Sequence, residues 1–190
     1  YAVPRKTEIK DEITEIKAPD GFINSQKSIS FKIDGIKDYD KDNEGDYVKI
    51  IEIKNEKPTG TLILNKYIVL RENVDKSILN IYDFSKICFS LIAKENIIDM
   101  SDGSILYKKG KEVIRCNLDK SGNLKISNLP MGIYEIKEVT TIDGLVLSNL
   151  KYEVNFKQKD FTTQIYEEVR HIKNETTIVE FSKKDITGQE

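Results

Sequence analysis

Leu129-Pro130-Met131-Gly132-Ile133-Tyr134-Glu135-Ile136-Lys137-Glu138 is a run that starts with Pro and Gly and then alternates. Successive side chains of a strand point to opposite faces of its sheet. Tyr134, Ile136 and Glu138 therefore share one face, which is apolar apart from a carboxylate at its far end. The same pattern recurs in Leu62-Ile63-Leu64-Asn65-Lys66-Tyr67-Ile68, where Leu62, Leu64, Lys66 and Ile68 share a face. A lysine there is unusual, because lysine is almost never fully buried without a partner. Ile172 and Asn174 form a third such pair.

Around these stretches the chain is punctuated by turn signals, among them Asp20-Gly21, Lys57-Pro58-Thr59-Gly60, Ser101-Asp102-Gly103, Lys109-Gly110, Ser121-Gly122-Asn123 and Asp143-Gly144. Short apolar-alternating segments between frequent turns predict an all-β sandwich or barrel. Residues 61–70, 86–94, 112–117, 132–139, 150–156, 163–173 and 177–183 read as strands. Residues 74–84 read equally as a short helix or an extended excursion. Composition agrees with a sheet protein: Ile, Val, Thr and Tyr are plentiful, while Ala occurs only at positions 2, 18 and 93. With 38% hydrophobic and 33% charged residues the chain can still build a core.

An internal repeat divides the 190 residues. Glu15-Ile16-Lys17-Ala18-Pro19-Asp20-Gly21-Phe22 aligns with Glu138-Val139-Thr140-Thr141-Ile142-Asp143-Gly144-Leu145 at an offset of 123. Ile53-Lys54-Asn55-Glu56 aligns with Ile172-Lys173-Asn174-Glu175 at 119, and Leu64-Asn65-Lys66 with Phe181-Ser182-Lys183 at 117. Residues 1–57 are thus expected to be the C-terminal part of one module, 58–175 a complete module, and 176–190 the first strand of a further one. The face logic repeats as well: Ile9, Ile13 and Glu15 share a face, as do Ile51, Ile53 and Asn55, and as do Val179, Phe181 and Lys183.

Lys66, Glu138 and Asn174 thus point into one core from the first, a middle and the last strand. Burial lowers a lysine pKa and raises that of a glutamate. A neutral amine is a nucleophile, and a protonated glutamate can donate a hydrogen bond and shuttle protons. Amine, acid and carboxamide are the parts needed for the lysine Nζ to attack the asparagine side-chain carbonyl with loss of ammonia. Taken singly, each residue is ordinary, since strand lysines are usually solvated or guard an edge. The triple, recurring in matched order, sets them apart.

These motifs carry a family resemblance. The 129–138 stretch resembles the LPxGxYxLxE segment of Cna B-type (SpaA-like) domains, and Glu15–Phe22 resembles the pilin E-box. Val179 to Glu190 is similar to the first strand of such a domain, and Asn55-Glu56-Lys57-Pro58-Thr59-Gly60 to the junction between two of them. The resemblance implies transthyretin-like, reverse-immunoglobulin β-sandwich modules in tandem. It implies a Lys66–Asn174 isopeptide bond with Glu138 as catalytic acid, a single-turnover self-cross-linking rather than an enzyme. Glu15 is the matching acid of the first module. Asn55 and Lys183 are candidates for an inter-module or intermolecular cross-link. The complete module departs from the E-box at Thr140-Thr141-Ile142, a change that bears on the turn rather than on the carboxylate. The expected role is a structural stalk or pilin-shaft segment of a Gram-positive surface protein, extracellular and cell-wall anchored, with its anchor signal outside this stretch. Neighbouring modules and other pilin subunits are the expected partners. The alternative is an adhesin module that binds a host ligand directly.

Other chemistries find little support. A net charge of −2 lacks the basic excess that nucleic acid or an anionic membrane surface attracts. No apolar run approaches the ~20 residues of a spanning helix. The acidic stretch 38–46 has Asn43 and Lys49 where a calcium loop needs Gly and Glu, so it reads as a solvated hairpin loop. His171, the sole histidine, has no Ser or Cys motif around it. Cys88 and Cys116 lack metal-type spacing; they allow one disulfide or, more simply, two small buried apolar side chains. No cofactor or metal is expected. An adhesin would show a large exposed apolar patch or groove, and an enzyme a pocket of convergent polar groups.

Overall fold

The computed structural model describes residues 10–24, 27–32, 40–41, 43–45, 47–48, 50–70, 79 and 81–177. Lys183 and the expected strand 177–183, beyond Thr177, lie outside them, as do Ile9 and most of 74–84. In the described part of 74–84, Leu79 and Ile81 have 3-10 conformation, and a further 3-10 turn follows at Phe84–Lys86, capped by Asp83. The fold is all-β. By packing, the chain forms two units: Tyr1–Pro58 with Gln158–Gln164, and Thr59–Lys157 with Ile165–Glu190.

In the first unit, β1 (Lys10–Thr14) pairs antiparallel with β2 (Ser28–Lys32), setting Ile13 opposite Ile29. β3 (Asp40–Lys41) and β4 (Tyr47–Val48) form a short hairpin at the acidic stretch. Ala18 and Ile23 are buried. Gln158 Oε1 accepts from the Gly21 N–H, and its Nε2 donates to the Phe22 carbonyl, which ties residues 158–164 into this unit.

The second unit is built on β5 (Thr59–Val69), β6 (Cys88–Ala93), β7 (Ile97–Ile98), β8 (Ile105–Tyr107), β9 (Glu112–Asn117), β10 (Asn123–Leu129), β11 (Gly132–Thr140), β12 (Lys151–Phe156) and β13 (Ile165–Glu175). One sheet has the order β10-β5-β13, the other β12-β11-β6-β9, and β7 and β8 make a separate hairpin. The first and last strands lie side by side and parallel, with Ile172 beside Lys66 and Asn174 beside Ile68. One core unites Leu62, Leu64, Ile126 and Ile172 of the three-stranded sheet with Phe89, Leu91, Tyr134, Ile136, Val154 and Phe156 of the four-stranded one. Tyr134 is buried because its hydroxyl donates to the Pro130 carbonyl at 2.6 Å, which satisfies the only polar atom of its side chain. Its ring meets Phe156 edge-on. Cys88 and Cys116, on neighbouring strands, are free thiols.

The strand expectations need several amendments: β1 to β4, β7, β8 and β10 lie outside the segments read as strands, and residues 51–55, whose faces alternation assigns, form no strand. β10 does not show in the alternation, because a bulge between Ile126 and Leu129, with Asn128 at φ 59°, breaks its period. β13 begins two residues later than read and runs on to Glu175. An Asx turn at Asp160, which accepts from the Thr162 and Thr163 N–H groups, holds the chain out of the strand there. Ile13 and Ile53, read as core-facing, are 40% and 39% exposed. Among the described residues, nothing supplies the sheet layer that would cover them.

The repeat is visible in the backbone. Phe22 N–H donates to Pro19 O, and Leu145 N–H to Ile142 O, both at 3.1 Å. Ile23 N–H donates to Glu56 O at 2.8 Å, and Val146 N–H to Glu175 O at 2.9 Å. Gly21 and Gly144 both have φ 86°, a conformation glycine adopts without strain. The turn is therefore the same in both copies, although Thr-Thr-Ile stands in one where Lys-Ala-Pro stands in the other.

Candidate functional site: a buried lysine, glutamate and asparagine

The second unit brings Lys66, Glu138 and Asn174 together. Lys66 comes from β5 and Asn174 from β13, neighbours in one sheet, while Glu138 comes from β11 in the other. Strand alternation directs all three inward, and all three are buried. The backbone around Lys66 is fixed by its N–H, which donates to the Gly122 carbonyl at 2.8 Å.

Lys66 Nζ donates to Glu138 Oε2 at 2.9 Å and to Asn174 Oδ1 at 2.7 Å. Asn174 Nδ2 in turn donates to Glu138 Oε1 at 3.1 Å. The carboxylate thus bridges the amine and the amide nitrogen. The Lys66 and Glu138 side chains are each 1% exposed. The Phe89 ring forms an apolar wall 5.3 Å from Nζ. Burial pulls the Lys66 pKa below its ordinary value; the hydrogen bond and charge of Glu138 oppose that shift without cancelling it. Two contacts escape the sequence reading. The Ser148 N–H donates to Glu138 Oε2 at 3.3 Å, and Thr141 Oγ1 accepts from Asn174 Nδ2 at 3.4 Å. Both depend on the loop after β11, whose path alternation does not encode.

In the first unit, Asn55 Nδ2 donates to Glu15 Oε1 at 2.8 Å. Glu15 Oε2 and Asn55 Oδ1 are buried and have no hydrogen-bond partner among the described residues. His171 is exposed on β13. Among the described residues, no group of His, Cys, Asp and Glu is arranged to hold a metal ion, and no helix is long and apolar enough to cross a membrane.

Residues 81–169 match the family model of the SpaA prealbumin-like fold domain. The second unit therefore carries a SpaA-like, Cna B-type domain, a β-sandwich. Among solved structures, the chain is similar to the Bacillus anthracis TIE protein, with a TM-score of 0.55 and 20% identity over 89% of this chain and 25% of that one. It also matches GBS52, the minor pilin of Streptococcus agalactiae, at TM-score 0.44 and 20% identity, covering 67% of this chain and 49% of that one. For the major pilin SpaD from Corynebacterium diphtheriae the values are 0.39 and 19%, covering 62% and 30%. This chain thus spans between a quarter and a half of those proteins. No curated protein matches it.

Proposed function

We propose that this chain is a tension-bearing segment of a Gram-positive surface stalk or pilus shaft, and that its complete module closes itself with a Lys66–Asn174 isopeptide bond. The observation that carries the reading is the approach of Lys66 Nζ to Asn174 Oδ1 at 2.7 Å, with Glu138 touching both reactants in a water-excluded core. Glu138 takes a proton from Nζ, and the neutral amine attacks Asn174 Cγ. The tetrahedral centre collapses as Glu138 passes the proton to Nδ2, and the freed carboxylate takes up the second proton that Nζ loses as it becomes an amide nitrogen. The Nζ–Cγ bond forms, the Cγ–Nδ2 bond breaks, and one ammonia leaves. A cleft of about 320 Å³ lined by Val146–Leu150 and Lys173–Glu175 borders Asn174 and offers the ammonia a way out. Holding the reactants in contact removes the entropic part of the barrier. Covalent closure between first and last strands suits a part that carries load, and the family match to a pilin-type domain supports that setting.

The test is the intact mass of the purified chain, with peptide mapping. The expected result is a deficit of one ammonia and a branched peptide joining Lys66 to Asn174. Glu138→Ala should fold but keep the full mass. A wild-type chain of full mass overturns the cross-link, and an Glu138→Ala chain that still cross-links removes Glu138 from its role.

A further inference from the structure

Thr141 enters the buried site against the period of its strand. The inward side chains of β11 are Tyr134, Ile136 and Glu138, so strict alternation would turn residue 140 inward next. The pairing with β6 slips at that point: Glu138 lies opposite Phe89 and Thr140 opposite Cys88, so two positions of β11 are matched by one step of β6. Val139 is the extra residue of a β-bulge, and a bulge re-aims the side chains that follow it. Thr140 is turned out of the site. Its hydroxyl accepts from the Cys88 N–H at 3.1 Å and donates to the Lys86 carbonyl at 3.3 Å, which staples β11 to the entry of β6. Thr141 takes the inward place, with Oγ1 at 3.4 Å from Asn174 Nδ2.

The backbone does not call for this hydroxyl. Ala18 holds the aligned position in the first unit, and the turn that follows is the same there, with Phe22 N–H on Pro19 O and Leu145 N–H on Ile142 O, both at 3.1 Å. Among the described residues the Thr141 hydroxyl meets Asn174 alone. A primary amide nitrogen has two hydrogens to place. Glu138 Oε1 takes one at 3.1 Å and Thr141 Oγ1 the other at 3.4 Å, while Oδ1 faces Lys66 Nζ at 2.7 Å. The carboxamide is thus held at three corners. Asn174 is 2% exposed, so it has no solvent to replace a lost partner.

We propose that Thr141 is a functional member of the cross-linking site, whose hydroxyl holds the leaving nitrogen beside Glu138 while Lys66 attacks. The inference rests on the Lys66–Asn174 reaction proposed above. As Nζ adds to Cγ, Nδ2 loses its conjugation with the carbonyl and becomes free to turn about the Cγ–Nδ2 bond. It must then take its third hydrogen from the Glu138 carboxyl before that bond breaks and ammonia leaves. Pivoting on its bond to Oγ1, the nitrogen swings its new lone pair onto the protonated carboxyl as its other hydrogen moves off Oε1. Oγ1 only accepts and gives up no proton, so the balance of the reaction is unchanged. Orientation of this kind acts on the rate and not on the product.

Cell-free synthesis of the whole chain in a short pulse, quenched into denaturant at intervals and read by intact mass, gives the rate of ammonia loss. Thr141→Val keeps the branched shape and loses the hydroxyl. It should slow that loss about tenfold, equivalent to ~1.4 kcal/mol of barrier, and reach the same final mass. Thr141→Ser should react close to the wild-type rate. In Asn174→Ala, which cannot react and offers no amide to hold, adding Thr141→Val should not lower the urea midpoint. A wild-type chain that loses ammonia beside a Thr141→Val chain that loses it equally fast overturns this proposal and leaves the Lys66–Asn174 bond standing. So does a Thr141→Ser chain as slow as Thr141→Val, which would make shape the cause, or a lowered midpoint in Asn174→Ala/Thr141→Val, which would make it a folding defect. A wild-type chain that keeps its full mass removes the bond and this role together.

Discussion

At Lys66 two effects of opposite sign meet. Burial favours the neutral amine, and Glu138 favours the ammonium, yet the balance stays below the ordinary lysine value of 10.5. Asn174 contributes to neither, so the shift should survive in Asn174→Ala, where no bond can form. The unfolded chain then holds the Lys66 proton to higher pH than the folded one, and unfolding takes up a proton between the two values. Stability from this group is therefore complete above 10.5 and is lost as pH falls through the folded value. Urea midpoints of Asn174→Ala should rise as pH approaches 10.5 from below, relative to Asn174→Ala/Lys66→Met, which lacks the group. Parallel curves for the two variants would show that the amine is not held neutral. The three residues of the site were legible because alternation needs only the strand's own sequence. Thr141 and Ser148 were not, since they reach the site through a loop whose course is set by packing.

Among the strands, β5 is the one whose position the site depends on, and Gly60 near its start shows how closely it is fitted. A Cβ built on Gly60 would fall 2.4 Å from the Phe156 ring, a distance no packed pair of carbons can hold. The ring is itself buried against Tyr134 and has no free direction in which to turn away. Gly60→Ala should destabilise the module by about 1–3 kcal/mol, the cost of overpacking, read as a lowered urea midpoint. An unchanged midpoint would mean that the sheets separate more easily than this contact implies. Six of the seven strands read from the sequence fall on described residues, and each of those is a strand. β10 was hidden because its bulge removes the period that marks a strand. The parallel pairing of β5 with β13 could not be read from either segment, because register between ends of a module is decided by the core they jointly cover. The exposure of Ile13 and Ile53 has the same origin. Periodicity tells which face a residue shares, but whether that face is covered depends on what packs against it.

On the scale of the whole module, the consequence of a Lys66–Asn174 bond is mechanical. The two residues are 108 positions apart. By the loop-entropy account used for disulfides, closing a loop of about 100 residues removes ~4.7 kcal/mol of unfolded-state freedom. Load reaches the second unit through β5 and leaves through β13. Because these strands are parallel, tension on their outer ends shears the whole ladder at once rather than peeling it pair by pair. With the amide in place, force passes from β5 to β13 through a covalent link, and everything between Lys66 and Asn174 is out of the load path. Without it, rupture of the ladder frees the enclosed span of 108 positions, which lengthens the chain by roughly 360–390 Å at ~3.3–3.6 Å per residue. Single-molecule pulling should show that extension in Glu138→Ala and not in the wild-type chain. A wild-type trace with the full step would mean that the three buried side chains hold the strands together only by hydrogen bonds, and that the module bears load without a covalent strut.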